Sequence, residues 1–291
     1  MSLNQDIGEL ERKPSWLKVK LPVGSQFVKV KELVKNSQLH TVCESAHCPN
    51  IGECWNRKTA TFMILGDVCT RNCRFCAVDH NKATPLDTQE PERVAEAVAK
   101  LGLNYAVITS VTRDDLVDGG ANHFAKTISA IKAARPECKI EVLIPDFQGS
   151  EDALSIVLDA KPDVLNHNIE TVPQLYSIAR PQADYKRSLE LLRSASRAGF
   201  KTKSGLMVGL GETMEQINIV MQDLVEYGCN MLTIGQYLQP SKSHLPVARY
   251  VEPKEFGKMK KIGLELGLDS IEAGPLVRSS YHADEQFDSA S

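Results

Sequence analysis

The chain has 291 residues, 42% hydrophobic and 24% charged, with a formal net charge of -3. That length supports a real core without disulfide staples, and the charge balance speaks against generic nucleic-acid binding. No apolar run approaches membrane-spanning length and no secretory signal opens the chain, so its eight cysteines are expected in a reducing cytoplasm, where thiols stay free for metals.

Residues 1–57 read as an irregular extension, punctuated by Pro14, Pro22, Gly24, Pro49 and Gly52. Between residues 12 and 35 stand seven basic residues, Arg12, Lys13, Lys18, Lys20, Lys29, Lys31 and Lys35, against one acid, Glu32. Such a strip is either a solvated arm or a docking surface for an acidic protein partner. The extension ends on a triplet, Cys43, Cys48 and Cys54, spaced CxxxxCxxxxxC, with His47 inside it as an alternative ligand.

After it, short β-rich runs alternate with amphipathic helical patterns. Strands are expected at Thr61 to Leu65, Tyr105 to Ser110, Ile140 to Ile144, Val164 to Asn168, Thr202 to Val208 and Met231 to Gln236. Helices are expected at Pro91 to Leu101, His123 to Arg135, Ser150 to Ala160, Tyr185 to Ala198, Thr213 to Tyr227 and Pro253 to Leu266. Repeated βα units predict an α/β fold, a partial (β/α)6 TIM-like barrel over residues 58–272. The extension 1–57 and a tail 273–291 then cover its open face.

A second triplet, Cys69, Cys73 and Cys76, spaced CxxxCxxC, follows the first strand, at the strand ends where parallel βα folds bind ligands. Thr109 with Ser110, Asn168 with Glu170, and Gln236 converge on that face. Three thiolates leave one iron of a four-iron cubane open to substrate or a weaker ligand. The alternative is zinc completed by His80. Cys138 and Cys229 stand apart and read as buried thiols, and KSGLMVGLGE from Lys203 lacks any phosphate-binding spacing.

CxxxCxxC with Phe75 before its last cysteine resembles the signature of the radical S-adenosylmethionine superfamily. TVCESAHCPNIGECW, from Thr41, closely resembles the auxiliary-cluster motif of the lipoyl synthases. RKPSWLK at Arg12, TSVTRDDLVDGGA at Thr109, NHNIETV at Asn166, TIGQYLQPS at Thr233 and RSSYHA at Arg278 are similar to that family in the expected order.

The resemblance implies two 4Fe-4S clusters and S-adenosylmethionine as cofactors. Cys69, Cys73 and Cys76 hold the cluster that binds S-adenosylmethionine; Cys43, Cys48 and Cys54 hold the auxiliary cluster, completed by Ser280 or, failing that, Ser279. Thr109, Ser110, Asn168, Glu170 and Arg180 contact S-adenosylmethionine, Arg180 at the methionine carboxylate and Glu170 at the ribose. The implied reaction inserts two sulfur atoms into a protein-bound octanoyl chain, with the auxiliary cluster as donor. Implied partners are octanoylated lipoyl carrier domains (2-oxoacid dehydrogenase E2 subunits and the glycine cleavage H protein), a flavodoxin or ferredoxin as reductant, and an iron-sulfur carrier for cluster repair. Neither nucleic acid nor membrane is expected as a partner. Rival readings are an RNA methylthiolating enzyme with two clusters and a zinc-stapled interaction module.

Overall fold

A computed structural model describes residues 13–19, 22–57 and 59–290, so Arg12 and Lys20 of the basic strip lie outside the described residues. Eight strands lie in chain order in one sheet. They are β1 (His40–Thr41), β2 (Thr61–Ile64), β3 (Tyr105–Ser110), β4 (Lys139–Leu143), β5 (Val164–Asn166), β6 (Lys201–Val208), β7 (Met231–Gln236) and β8 (Ser270–Gly274). β1 runs antiparallel to β2; all later neighbours are parallel.

Three helices precede β2: α1 (Ser25–Asn36), α2 (Val42–Ser45) and α3 (Ile51–Asn56). The crossovers carry α4 (Glu90–Leu101), α5 (Ala121–Ala134), α6 (Glu151–Asp159), α7 (Tyr176–Ala179), α8 (Tyr185–Arg197), α9 (Met214–Glu226) and α10 (Pro253–Leu266), and α11 (Ala283–Ser289) ends the chain. Local chemistry sets the ends. Capping boxes open α9 (Thr213 with Gln216) and α10 (Glu252 with Glu255), and left-handed Gly102 and Gly267 close α4 and α10.

Alternation along each strand divides the sheet into two unlike faces. Phe62, Ile64, Ala106, Ile108, Ile140, Val142 and Leu165 pack on the helices of the first half; Leu206, Val208, Leu232, Ile234 and Ile271 do so in the second. The opposite face mixes Thr61, Thr109, Glu141, Asn166, Lys203, Gly205, Thr233 and Gly235, polar or without a side chain, with apolar Met63, Val107, Val164 and Met231. Across this face runs the C-terminal chain. Val277 approaches Gly235, Ser279 approaches Gly205, and Ala283 and Phe287 pack on Tyr105 and Val107. Gln286 donates to the Leu232 carbonyl at 3.1 Å.

Two expectations are corrected. The described part of the extension is not irregular: Phe27, Val30, Leu33 and Val34 recur at helical spacing, and Phe27 packs tilted on buried Trp55 at 5.2 Å between centroids. Interleaved lysines and flanking prolines conceal that period. The sheet also has a seventh parallel strand, β8, whose sequence SIEAG directs one large apolar side chain, Ile271, into the core. Its other face meets polar chain, so no apolar run announces it.

The polar face contains a buried ion pair. Lys203 Nζ lies 3.2 Å from Glu141 Oε2, with side chains 1% and 0% exposed. Tyr105 and Asn166 each donate to Glu141 at 2.7 Å. Removing one member leaves an uncompensated buried charge. Lys203→Met is therefore expected to destabilise the protein by about 3–5 kcal/mol, read as a lower urea midpoint; an unchanged midpoint overturns this.

Candidate functional site

β2 is followed by Leu65 and Gly66, both at positive φ (71° and 93°), which turn the chain into the loop of Cys69, Cys73 and Cys76. The strained turn is held from both sides: buried Glu90 accepts from the Leu65 amide at 2.8 Å, and Arg113 donates to its carbonyl at 3.2 Å. Arg71, inside the triplet, reaches Asp114 and Asp146, each at 2.6 Å. The amides of Arg71 and Thr112 point at the Cys69 sulfur at 3.4 and 3.3 Å. Arg74 bonds to the Ala179 carbonyl and to the Leu245 amide, while His244 Nε2 lies 2.9 Å from the Cys76 carbonyl. Phe75 packs with Ala179, Tyr237 and Leu245. The loop is thus fixed before any cluster is considered.

Beside it lie Asn168, Glu170 and Arg180. Asn168 Nδ2 donates to Glu170 at 3.1 Å and to Ser279 at 2.7 Å. Arg180 Nη1 donates to the carbonyls of Asn168 and Ile169, and the guanidinium covers the Tyr176 ring. Burial pushes the Glu170 carboxyl up, against the pull of Arg180 and Asn168. Asn168 Oδ1, Arg180 Nε and Ser110 Oγ are buried without a partner among the described residues. Buried polar atoms are normally satisfied, so these donors and acceptors fit a polar, charged ligand. Thr109 differs, its hydroxyl donating to the Leu143 carbonyl at 3.0 Å.

Cys43 lies in the short helix α2, Cys48 follows it and Cys54 lies in α3. In addition to burial, Cys48 pushes the Cys43 thiol up within the first set, and Cys43 and Cys48 push up Cys54; within the second Cys69 pushes up Cys73, and Cys73 and Cys69 push up Cys76. The C-terminal chain is sewn to the first set. Asn50 donates to the Leu276 carbonyl at 2.7 Å, Tyr281 and His282 bond to Glu53, and Arg57 pairs with Glu285 at 2.6 Å. Thr61, first in β2, donates its hydroxyl to Ser280 at 2.7 Å while its amide faces the Cys43 thiol. Neighbouring serines therefore part company: Ser280 adjoins the first triplet, and Ser279 adjoins Asn168.

Among the described residues, no three His, Cys, Asp or Glu side chains close around a single metal ion. A cubane instead takes each thiolate on a separate iron, which suits two loose triplets. His47 and His80 are exposed, and Cys138 and Cys229 are buried as expected. Glu212 accepts from the Gly209 and Leu210 amides at 2.6 and 2.9 Å, so its own carboxylate occupies the glycine-rich turn. Arg71, Asp146, Thr61 and Arg278 escape sequence reasoning. Only Arg71 and Arg278 had a signal, their places inside CTRNC and RSSY.

The family model for the radical SAM superfamily matches residues 63–224, and that for the N-terminal domain of lipoyl synthase matches residues 1–48. Curated lipoyl synthases of Rubrobacter xylanophilus and Caldanaerobacter subterraneus are 59% and 57% identical over 96% and 94% of this chain, and 87% and 96% of their own. That of Koribacter versatilis is 57% identical over 95% of this chain and 92% of its own. Among solved structures, methylornithine synthase PylB gives a TM-score of 0.54 at 14% identity, covering 76% of this chain and 72% of its own. The FeFe-hydrogenase maturase HydG gives 0.58 at 17%, covering 79% and 54%. These two likenesses are of fold.

Burial raises the thiols of Cys43 and Cys73 from 9.0 to about 11, and those of Cys54 and Cys76 to about 12. As pH rises, the unfolded chain ionises first, so the metal-free protein keeps this contribution below about pH 9 and loses it progressively toward pH 12. Metal-bound thiolates have already released their protons. Anaerobic melting from pH 8 to about pH 11 is expected to show a steeper fall in Tm for the metal-free protein than for the loaded one; parallel slopes refute it.

Proposed function

The chain belongs to the lipoyl synthase family of the radical S-adenosylmethionine superfamily, and from that membership we propose that it inserts sulfur at carbon 6 and carbon 8 of a protein-bound octanoyl-lysine. It is a radical SAM sulfurtransferase, and its cofactors are two 4Fe-4S clusters and S-adenosylmethionine. When bound, these groups supply the hydrogen-abstracting radical and the sulfur.

Cys69, Cys73 and Cys76 hold one cluster, on a loop whose conformation Arg71, His244 and the turn at Leu65 fix in advance. Arg180, with Nη1 committed to backbone carbonyls, offers Nε to the methionine carboxylate; Glu170 accepts from ribose hydroxyls and Asn168 and Ser110 complete the polar wall. Thr109 positions the end of β3 through Leu143. Cys43, Cys48 and Cys54 hold the auxiliary cluster with Ser280 as fourth ligand. The single observation that carries this assignment is the setting of Ser280, which accepts from Thr61 and precedes Tyr281, bonded to Glu53 beside Cys54, while Ser279 turns to Asn168. An alkoxide is a hard, strongly basic donor, so Ser280 would hold a cluster iron differently from the three thiolates and would leave it more readily on protonation.

The sheet is read as a partial barrel over residues 58–272, flanked by the auxiliary-motif segment 1–57 and the tail 273–291. Its substrates are octanoylated carrier domains, such as 2-oxoacid dehydrogenase E2 subunits and the glycine cleavage H protein, with a flavodoxin or ferredoxin as reductant and an iron-sulfur carrier for repair. No described helix is long and apolar enough to cross a membrane, and free thiols suit a reducing cytoplasm. The exposed lysines Lys13, Lys18, Lys29, Lys31 and Lys35 lie among exposed Trp16, Val19, Val23 and Val28, a mixed surface that suits an acidic protein partner.

With an octanoyl-lysyl peptide, S-adenosylmethionine and reductant, mass spectrometry is expected to show a gain of two sulfurs. Ser280→Cys is expected to retain iron and sulfide but lower lipoyl yield at least about tenfold; equal yield removes Ser280 from the role. Reversing Lys18, Lys29, Lys31 and Lys35 to Glu should raise KM for a carrier domain about tenfold and leave the peptide unaffected. Equal effects on both substrates refute docking.

A further inference from the structure

The backbone that carries Asn168 and Glu170 is clamped against β6 in a costly conformation. Glu170 stands at φ 68°, in the left-handed region, where its amide donates to the Gly205 carbonyl at 2.9 Å and its carbonyl accepts from the Met207 amide at 2.8 Å. Ser204 anchors the stretch just before it, accepting from the Ile169 amide at 3.1 Å and donating to the His167 carbonyl at 2.9 Å. With the backbone so held, what stays free is the orientation of the buried Asn168 amide.

Its partners decide that orientation. The Glu170 carboxylate only accepts, so Nδ2 must face it, and the Ser279 hydroxyl accepts from the same nitrogen at the shorter distance, 2.7 against 3.1 Å. Oδ1 then turns to Gly205, where a Cβ would stand 2.5 Å from that oxygen and 3.1 Å from Ser279 Oγ. Gly205 is absent from the positive-φ glycines, so what the site requires of it is space. The glycine of the KSG run thus admits the amide and the hydroxyl together. Ser279 is itself presented by fixed chain: Asn50 donates to the Leu276 carbonyl before it, and Thr61 donates to Ser280 after it, both at 2.7 Å.

The two bonds to Nδ2 differ in what a ligand does to them. Ribose hydroxyls that donate to Glu170 compete with the Asn168 amide for the same oxygens, whereas the Ser279 bond is untouched by that competition. We propose that Ser279 is a positioning residue for the nucleoside of S-adenosylmethionine: it holds the Asn168 amide so that Glu170 is free for the ribose, and the C-terminal chain thereby completes a pocket otherwise built at the ends of β5 and β6. This rests on the reading of Asn168 and Glu170 as the nucleoside side of the site.

The test uses the full chain, loaded anaerobically with iron and sulfide, and equilibrium dialysis against adenosine, which carries the ribose and base without the methionine. Ser279→Ala is expected to keep the parent's iron and sulfide content and to bind adenosine about tenfold more weakly, as for one lost hydrogen bond. Gly205→Ala is expected to weaken binding by a similar factor, since its methyl group displaces the same amide. Because Ser279 acts through that amide, Ser279→Ala combined with Asn168→Ala is expected to bind no more weakly than Asn168→Ala alone. Effects that multiply in the double variant overturn the proposal and place Ser279 on the nucleoside itself. Parent-like affinity in Ser279→Ala also overturns it, and if iron is lost at the same time Ser279 belongs to the auxiliary cluster instead. If Ser279→Ala does not fold, Gly205→Ala decides by the same affinity criterion. A parent that binds no adenosine overturns the reading of Asn168 and Glu170, and the proposal with it.

Discussion

The guanidinium of Arg71 lies between two carboxylates, and three strand ends meet through it. Its Nε and Nη2 reach Asp114, after β3, and Asp146, after β4, and Arg187 of α8 approaches the second face of Asp146 at 3.2 Å. The Arg71 and Asp146 side chains are 5% and 0% exposed. Burial alone would raise the Asp146 carboxyl, but the hydrogen bond and charge of Arg71 hold it down at about 2. A buried pair of this kind gives little net stability against a well-packed apolar substitute, and breaking it is costly. Its value here is geometric. It prevents the cysteine loop from relaxing away from the sheet, and the Thr112 amide then meets the Cys69 sulfur.

The same logic explains the polar face of the sheet. Sheets covered on both faces usually carry apolar side chains on both. Here Glu141, Lys203, Asn166 and Thr61 stand on the face opposite the helices, and Gly205 and Gly235 leave room for another stretch of chain. The segment from Val277 to Ala290 lies there, and its polar atoms answer the sheet's: Ser279 on Asn168, Ser280 on Thr61, and Gln286 on the Leu232 carbonyl. Burial of so many polar groups is sustained because most find a partner; among those that do not, Ser110 Oγ, Asn168 Oδ1 and Arg180 Nε share the pocket beside the second cysteine triplet.

What the sequence made legible follows from this division. The strands and helices whose outer faces are apolar, such as Tyr105–Ser110 and Pro253–Leu266, show their period and fall where expected. β8 and α11 carry too few apolar residues to display one: Ile271 and Ala273 in β8, Ala283 and Phe287 in α11. Both triplets were visible, because ligand spacing is local. The choice between Ser279 and Ser280 was not, because it depends on Thr61 and Asn168, which lie 219 and 111 residues away. Asp146 had no local signal either, since a carboxylate is marked as buried and paired only once Arg71 stands beside it.

The two triplets differ most in how they are assembled. Cys69, Cys73 and Cys76 belong to one loop, fixed by contacts on every side. Cys43, Cys48 and Cys54 come from the segment before β2, and their surroundings are completed by a chain that has crossed the whole sheet. That chain joins both places. Cα atoms of successive residues lie about 3.8 Å apart, so Ser280 at the first triplet and Ser279 at the Asn168 pocket form one rigid peptide link. The planar peptide fixes their spacing, while the side chains turn to different partners: Ser280 to Thr61, and Ser279 to Asn168, whose amide also holds Glu170. Two sites that share no thiol are thus joined by neighbouring residues of one chain.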